Sequence, residues 1–121
     1  MIQDTALVFI LLVHFLADFC LQTNDQAIMK STDLKHLQRH VLTYSLCWVL
    51  GAYCMLSSWL LALSFASITY VCHILTDFAT SRIGNPFWEK KDYHTGFVVV
   101  GADQVLHYLQ LIYTYEILSK I

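Results

Sequence analysis

Six histidines occur in the chain, and five of them stand four residues from an aspartate or from another histidine. The pairs are His14 with Asp18, His36 with His40, His73 with Asp77, and Asp103 with His107. Positions i and i+4 share one face of a helix, so each pair aims two ligand-capable groups the same way. Neutral imidazole and carboxylate together suit zinc, iron, manganese or nickel, with no need for cysteine. Helix bundles that carry two metals use Glu-x-x-His pairs, and here the two partners stand one residue further apart. The expected cofactor is one or two divalent transition-metal ions (zinc, manganese or iron), held by His14, Asp18, His36, His40, His73, Asp77, Asp103 and His107.

The elements that would carry these pairs follow from composition. Hydrophobic residues make up 57% of the 121, charged residues 13%, and the mean hydropathy is +0.54. A soluble domain carries about 25% charge. This composition argues against an ordinary soluble globule, and more strongly against a disordered chain. The net charge of −2 leaves no basic surplus to hold nucleic acid. An integral membrane protein, or an unusually apolar helical bundle, remains.

The 37 residues between Arg39 and Asp77 contain no Asp, Glu, Lys or Arg. As helix that run would be about 55 Å long at 1.5 Å per residue. A single crossing needs about 30 Å, so the run suits two crossings joined at Leu56-Ser57-Ser58. The fold expected is all-α: one domain over 1–121, a four-transmembrane-helix bundle of up-down topology with spans near 5–22, 38–56, 59–80 and 96–117. Residues 23–38 are too polar for a span and read as a loop or a short interfacial helix. Pro86 should end any helix it lies in, while Trp88 and Tyr93 suit a bilayer interface.

Six of the seven basic residues flank two loops: Lys30, Lys35 and Arg39 the first, Arg82, Lys90 and Lys91 the third. By the positive-inside rule those loops are cytoplasmic and both termini lie on the far side. The location expected is a bacterial inner membrane, or the host membrane for a phage protein. Asp4 stands where a signal peptide would carry a basic residue, so the first span is expected to be retained.

In such a bundle the four pairs fall at one depth, in the cytoplasmic half. An ionised Asp at the centre of a membrane helix costs at least about 2.5–3.5 kcal/mol on insertion scales. A divalent ion would offset Asp18, Asp77 and Asp103. The alternative is a hydrogen-bonded His/Asp clamp between helices, with Arg39 and Arg82 as counter-charges. Gln22 and Gln104 are candidates to orient ligands, and Tyr44 lies four residues beyond His40 to support it. Ser81-Arg82 could hold an anionic group at the mouth of the site. His36 reads equally well as a solvated loop residue, and His94 as an interfacial one. The four cysteines, Cys20, Cys47, Cys54 and Cys72, show no C-x-x-C pair and read as buried free thiols. No Walker A motif, dinucleotide fingerprint, H-E-x-x-H or G-x-S-x-G is present.

Several segments together resemble a known family. They are His14-Phe15-Leu16-Ala17-Asp18 through Gln22-Thr23, Lys30, His40 with Tyr44, His73-Ile74-Leu75-Thr76-Asp77 with Ser81-Arg82, and Asp103-Gln104-Val105-Leu106-His107. The chain resembles the bacterial and phage family called domain of unknown function 3307 over nearly its whole length. The resemblance implies a small membrane protein and names no reaction. A looser similarity, in residue types rather than a long motif, is to membrane-bound metal-dependent hydrolases.

The leading functional expectation is a membrane-embedded metal-dependent hydrolase acting on a lipid-linked phosphoester or another phosphorylated small molecule at the cytoplasmic interface. Asp18, Asp77 and Asp103 would divide the roles of ligand, bridge and general base. The alternatives are a metal or proton conduit, which would need an oligomer, and a non-enzymatic membrane interaction protein whose metal is structural. Thr43, Ser45, Ser64, Ser67, Thr69, Gln110 and Thr114 are the polar residues from which a conduit's far half would have to be built.

Overall fold

The computed structural model describes residues 2–121, and among them the regular structure is all helical. Helix α1 spans Asp4–Phe15 and runs directly into a π-helical segment, Leu16–Cys20. A short helix α2 follows at Asn24–Met29. Three long helices complete the chain: α3 at Leu34–Leu56, α4 at Trp59–Glu89 and α5 at Tyr93–Leu118. Helices α3 and α4 form one hairpin, α4 and α5 a second, and α1 lies against α3 and α5.

The helix ends are written in local chemistry. Thr23 caps α2 through a reciprocal box with Gln26. Asp33 accepts from the Lys35 amide, Ser58 from Leu61 and Asp92 from Thr95, each satisfying an amide that has no partner within its own helix. The turn expected at Leu56-Ser57-Ser58 is present, with Ser57 in the left-handed region at φ 53°. The π segment places the Leu21 amide on the Leu16 carbonyl, five residues back. Such single-turn widenings recur at functional sites, and this one contains Asp18.

Two expectations need correction. Pro86 does not end α4, which continues to Glu89. Proline in a helix interior forfeits one backbone bond and costs about 3 kcal/mol or more. Here the turn beyond it is held by the Lys90 amide on the Pro86 carbonyl, by Asn85 on Glu89, and by Trp88 packing edge-on to Phe97. Trp88 approaches α5 so closely that a Cβ on Gly96 would lie 2.9 Å from its ring, which is why a residue without a side chain stands there.

The second concerns the spans. Among the described residues one helix, α4, is long and apolar enough to cross a membrane, with 31 residues and a hydropathy of 1.6. The four spans expected from the charge map are not carried by that measure. Helix α1 stops at Phe15 where the π segment begins, α3 starts with Lys35 and Arg39 inside it, and α5 holds Asp103 and Glu116.

The interior divides along the helix axes. At one end Ile10, Trp48, Ala52, Ala62, Phe65 and Leu111 form a fully buried apolar core. At the other end lie the buried histidines and aspartates, with Ala17, Leu37 and Val41 buried next to them in sequence.

Candidate metal centre

Seven of the eight expected ligands converge there, all of them buried: His14, Asp18, His40, His73, Asp77, Asp103 and His107. His14 comes from α1, Asp18 from the π segment, His40 from α3, His73 and Asp77 from α4, Asp103 and His107 from α5. The i, i+4 spacing does what helical geometry requires within each helix, and packing joins the pairs between helices.

One atom each from Asp18, His40, His73 and Asp77 forms a set lying within 4.8 Å of one another. His40 Nε2 is 3.0 Å from Asp18 Oδ1, 3.3 Å from Asp77 Oδ2 and 3.2 Å from His73 Nε2. His73 Nε2 is 3.4 Å from Asp77 Oδ2 and 3.6 Å from Asp18 Oδ1. A zinc-sized ion bound tetrahedrally at about 2.0–2.2 Å sets its ligand atoms about 3.3–3.6 Å apart. The measured separations scatter around that value. Asp18 Oδ1 is buried and accepts no hydrogen bond, although two imidazole nitrogens stand beside it. Asp77 Oδ2 accepts from Lys30 and the two imidazole nitrogens face each other, which leaves Asp18 Oδ1 the unpartnered atom of the set; the chemistry of the four atoms fits a divalent transition metal.

Charge points the same way. Three carboxylates, Asp18, Asp77 and Asp103, meet one ammonium, that of Lys30, at 2.9 Å from Asp77 Oδ2. With neutral imidazoles this leaves a buried excess of two negative charges, which one divalent ion balances. Burial opposes the charge on Lys30, but Asp77 and Asp18 outweigh it and raise its pKa above the ordinary lysine value.

The remaining donors are held in place by neutral groups. Gln104 gives its amide hydrogens to Asp18 Oδ2 and Asp103 Oδ2, both at 3.1 Å. That fixes its carbonyl toward His14 Nε2 at 2.7 Å, so Nε2 carries the proton. His14 Nδ1 then accepts from the Tyr44 hydroxyl at 2.7 Å. Both nitrogens of His14 are committed, and it acts here through Gln104. Tyr44, expected to support His40, supports His14 instead. His107 Nε2 reaches Asp77 Oδ1 at 3.0 Å and Asp103 Oδ2 at 3.4 Å. A second set of donors, Asp18, Asp103 and His107, adjoins the first. His73 stacks on His107 at 4.2 Å, and Tyr44 packs against His73 at 4.0 Å with its plane tilted by 42°.

Not every expected residue joins. His36 pairs with Asp33 at 2.7 Å in the first turn of α3, part-exposed and outside both donor sets. The solvated-residue reading describes it. Arg39 is exposed beside Lys35 and Tyr70. Arg82 lies over the Phe78 ring at 3.8 Å and donates to the Phe78 carbonyl. The expected arginine counter-charges are therefore replaced by Lys30. Cys20 and Cys54 are free but exposed, not buried. His94 is exposed.

Thr80 was not singled out by sequence, yet its hydroxyl lies against Asp103 Oδ1. Its signal was available: Thr80 is three residues beyond Asp77 and seven beyond His73, on the same helix face. Lys30 had no such local signal, because its partner is 47 residues away.

A cavity of about 510 Å³ reaches the centre from one side. Asp18, Asp103, Gln104 and Lys30 form its inner wall, with Gln22 and Ser81 beside them.

The model of a family described as a protein of unknown function, DUF3307, matches residues 6–121. The chain belongs to the DUF3307 family. No curated protein and no solved structure matches it. The family description assigns no activity, so the chemistry of this DUF3307 protein has to be argued from its buried donors and the cavity beside them.

Proposed function

We propose that this chain is a membrane-embedded metal-dependent hydrolase acting on a phosphoester. The observation that carries the reading is the four-atom His/Asp cage with a cavity opening against its wall. A metal that only staples a fold needs no such access, whereas a reactive one does. When bound, the ion would polarise a phosphoryl oxygen and lower the pKa of a water.

The protein's own groups supply the rest. Asp77 is 1% exposed and does not line the cavity, so its role is to hold the ion and to orient His107. Asp103 lines the cavity, is steadied by Thr80 and Gln104, and lies outside the tetrahedral set. It is the group to take the proton of an attacking water. The water oxygen bonds to phosphorus, the ester P–O bond breaks, and the alcohol leaves carrying a proton. Lys30 stands on the same wall to meet phosphoryl charge.

Membrane residence is supported by apolar side chains exposed on α1, α3, α4 and α5, among them Leu12, Leu50, Leu60, Leu75, Val98 and Ile117. The polar groups face inward and the apolar ones outward, which suits a lipid surround. The fuller form of the proposal places α1 with its π segment, α3, α4 and α5 in a bacterial inner membrane, the centre near its cytoplasmic face. Six basic residues sit on elements at that end, in keeping with that orientation.

The test is metal analysis of the detergent-purified protein, then a phosphoester screen after loading with zinc, manganese or iron. Asp103→Asn is expected to keep the metal and lose turnover. A loaded, folded protein that turns over no phospholipid, polyprenyl phosphate or nucleotide ester overturns the hydrolase reading.

Four protein ligands also resemble a closed structural site, which favours a second reading in which the metal only fastens the bundle. Chelation would then lower the melting temperature with no activity to lose. A conduit is disfavoured by the opposite end, where Trp48, Phe65, Ile10 and Leu111 are fully buried. Thr43, Ser64 and Ser67 turn back onto their own helix carbonyls at the surface, and Gln110 closes on Thr69 and Thr114 in a local group.

A further inference from the structure

The cavity beside the metal centre has two kinds of wall. Its inner end is polar. Lys30 tops it, and Gln22 Oε1 and Ser81 Oγ are buried there without any hydrogen-bond partner. Buried polar atoms are rarely left unsatisfied, because each costs about 1–3 kcal/mol. Two of them lining one cavity mark the place where a ligand's polar atoms go.

The rest of the lining is mainly apolar, with Ser31 and Asn85 hydrogen-bonded to each other beside it. Phe19, Ile28 and Val100 line the cavity and also belong to the exposed apolar exterior, Ile28 being 74% exposed. An ester with a hydrocarbon tail would find in Phe19 of the π segment, Ile28 of α2 and Val100 of α5 apolar side chains that continue from the cavity onto the exterior. Its volume of about 510 Å³ lies within the range of small-molecule sites, about 300–1,000 Å³. That suffices for a polar head with the start of a chain, the remainder lying outside along Ile28 and Val100.

We infer that the cavity binds the head of an anionic phospholipid, with its acyl chains leaving over Phe19, Ile28 and Val100. The substrate class of the proposed hydrolase is then a lipid, and the inference rests on that reading for the sign of the head. Asp18 and Asp103 also face the cavity, and Lys30 alone does not offset them. A divalent ion in the cage would balance the three carboxylates together with Lys30, leaving the Lys30 ammonium on the cavity lining to meet a phosphate group.

The experiment is native mass spectrometry of the full chain released from a neutral detergent. Dioleoyl phosphatidic acid is added in one arm and glycerol 3-phosphate at equal concentration in the other. One retained phosphatidic acid per protein is expected, with no retained glycerol 3-phosphate. Val100→Trp, which fills the apolar exit, is expected to remove that retention. Ser81→Ala gives up a hydroxyl that bonds to nothing in the protein, so folding is spared, and retention should weaken about 2- to 10-fold. Equal retention by Val100→Trp and the parent, or binding of glycerol 3-phosphate as tight as that of the lipid, overturns the inference. Metal content is read in the same spectra. A protein that keeps metal and lipid but hydrolyses no ester sinks the hydrolase reading and leaves lipid binding standing.

Discussion

The two ends of this bundle use the same helices for opposite purposes. At one end Trp48 and Phe65 meet at 5.2 Å among Ile10, Ala52, Ala62 and Leu111, a packing of apolar side chains with no ionisable group among them. At the other end, α1, α3, α4 and α5 and the π segment bring four imidazoles and three carboxylates together, with Lys30 as the compensating cation. The first end gains its stability from burial and dispersion. The second holds charge that would destabilise the fold unless balanced. The closed end therefore fixes the geometry in which the charged end can be exact about an ion, and damage to each should show in a different measurement.

The sharpest way to break the comparison is Asp77→Asn. Asp77 touches His40, His73, His107 and Lys30. Metal content of the folded protein is expected to fall to background by elemental mass spectrometry. Retention of one equivalent would show that the carboxylate is not a ligand. Trp48→Ala should do the reverse: a loss of about 3–5 kcal/mol in unfolding free energy, with the metal-to-protein ratio of the folded fraction unchanged. Loss of metal at equal fold content would mean that the two ends are not separable.

Gln104→Leu comes next. It removes the amide that ties Asp18, Asp103 and His14 without touching the four-atom set. Groups that orient metal ligands are worth about 10- to 100-fold in affinity, so a competitive chelator titration should shift by that amount. An unchanged affinity would reduce Gln104 to packing.

What the sequence made legible, and what it hid, divides by distance along the chain. His73 with Asp77 and Asp103 with His107 could be read because both partners sit on one helix, where spacing is geometry. The turn at Ser57 and Ser58 could be read from two small polar residues in an uncharged run. The tie from Lys30 to Asp77 could not, since α2 supplies no periodicity that points at α4. Lys30 looked instead like a loop charge, and Arg39 and Arg82 looked like the counter-charges. His36 met the spacing rule with His40 but belongs to Asp33, three residues away, because it falls on the exposed first turn of α3. Pro86 was misjudged because a local rule was applied where tertiary packing, through Trp88 and Gly96, overrides it.

The smallest effects lie at that exposed turn. His36→Ala should leave metal content unchanged, and a drop would restore it to the centre. The Lys35 amide, then His36, hold the Asp33 carboxyl below its ordinary value of 3.8. Its folded-state pKa is depressed, so its cap on α3 is complete above pH 3.8 and fades only as pH falls through the lowered value. A carboxyl chemical-shift titration should give a midpoint below 3.8, and a midpoint at or above it would contradict the cap.

The claim on which the rest depends is that Asp18, His40, His73 and Asp77 form one tetrahedral cage. X-ray absorption spectroscopy of the zinc-loaded protein tests it directly. The account predicts four nitrogen and oxygen neighbours at about 2.0–2.2 Å, with the outer-ring scattering of two imidazoles. A sulfur neighbour near 2.3 Å, a six-oxygen water shell, or no retained zinc would contradict it.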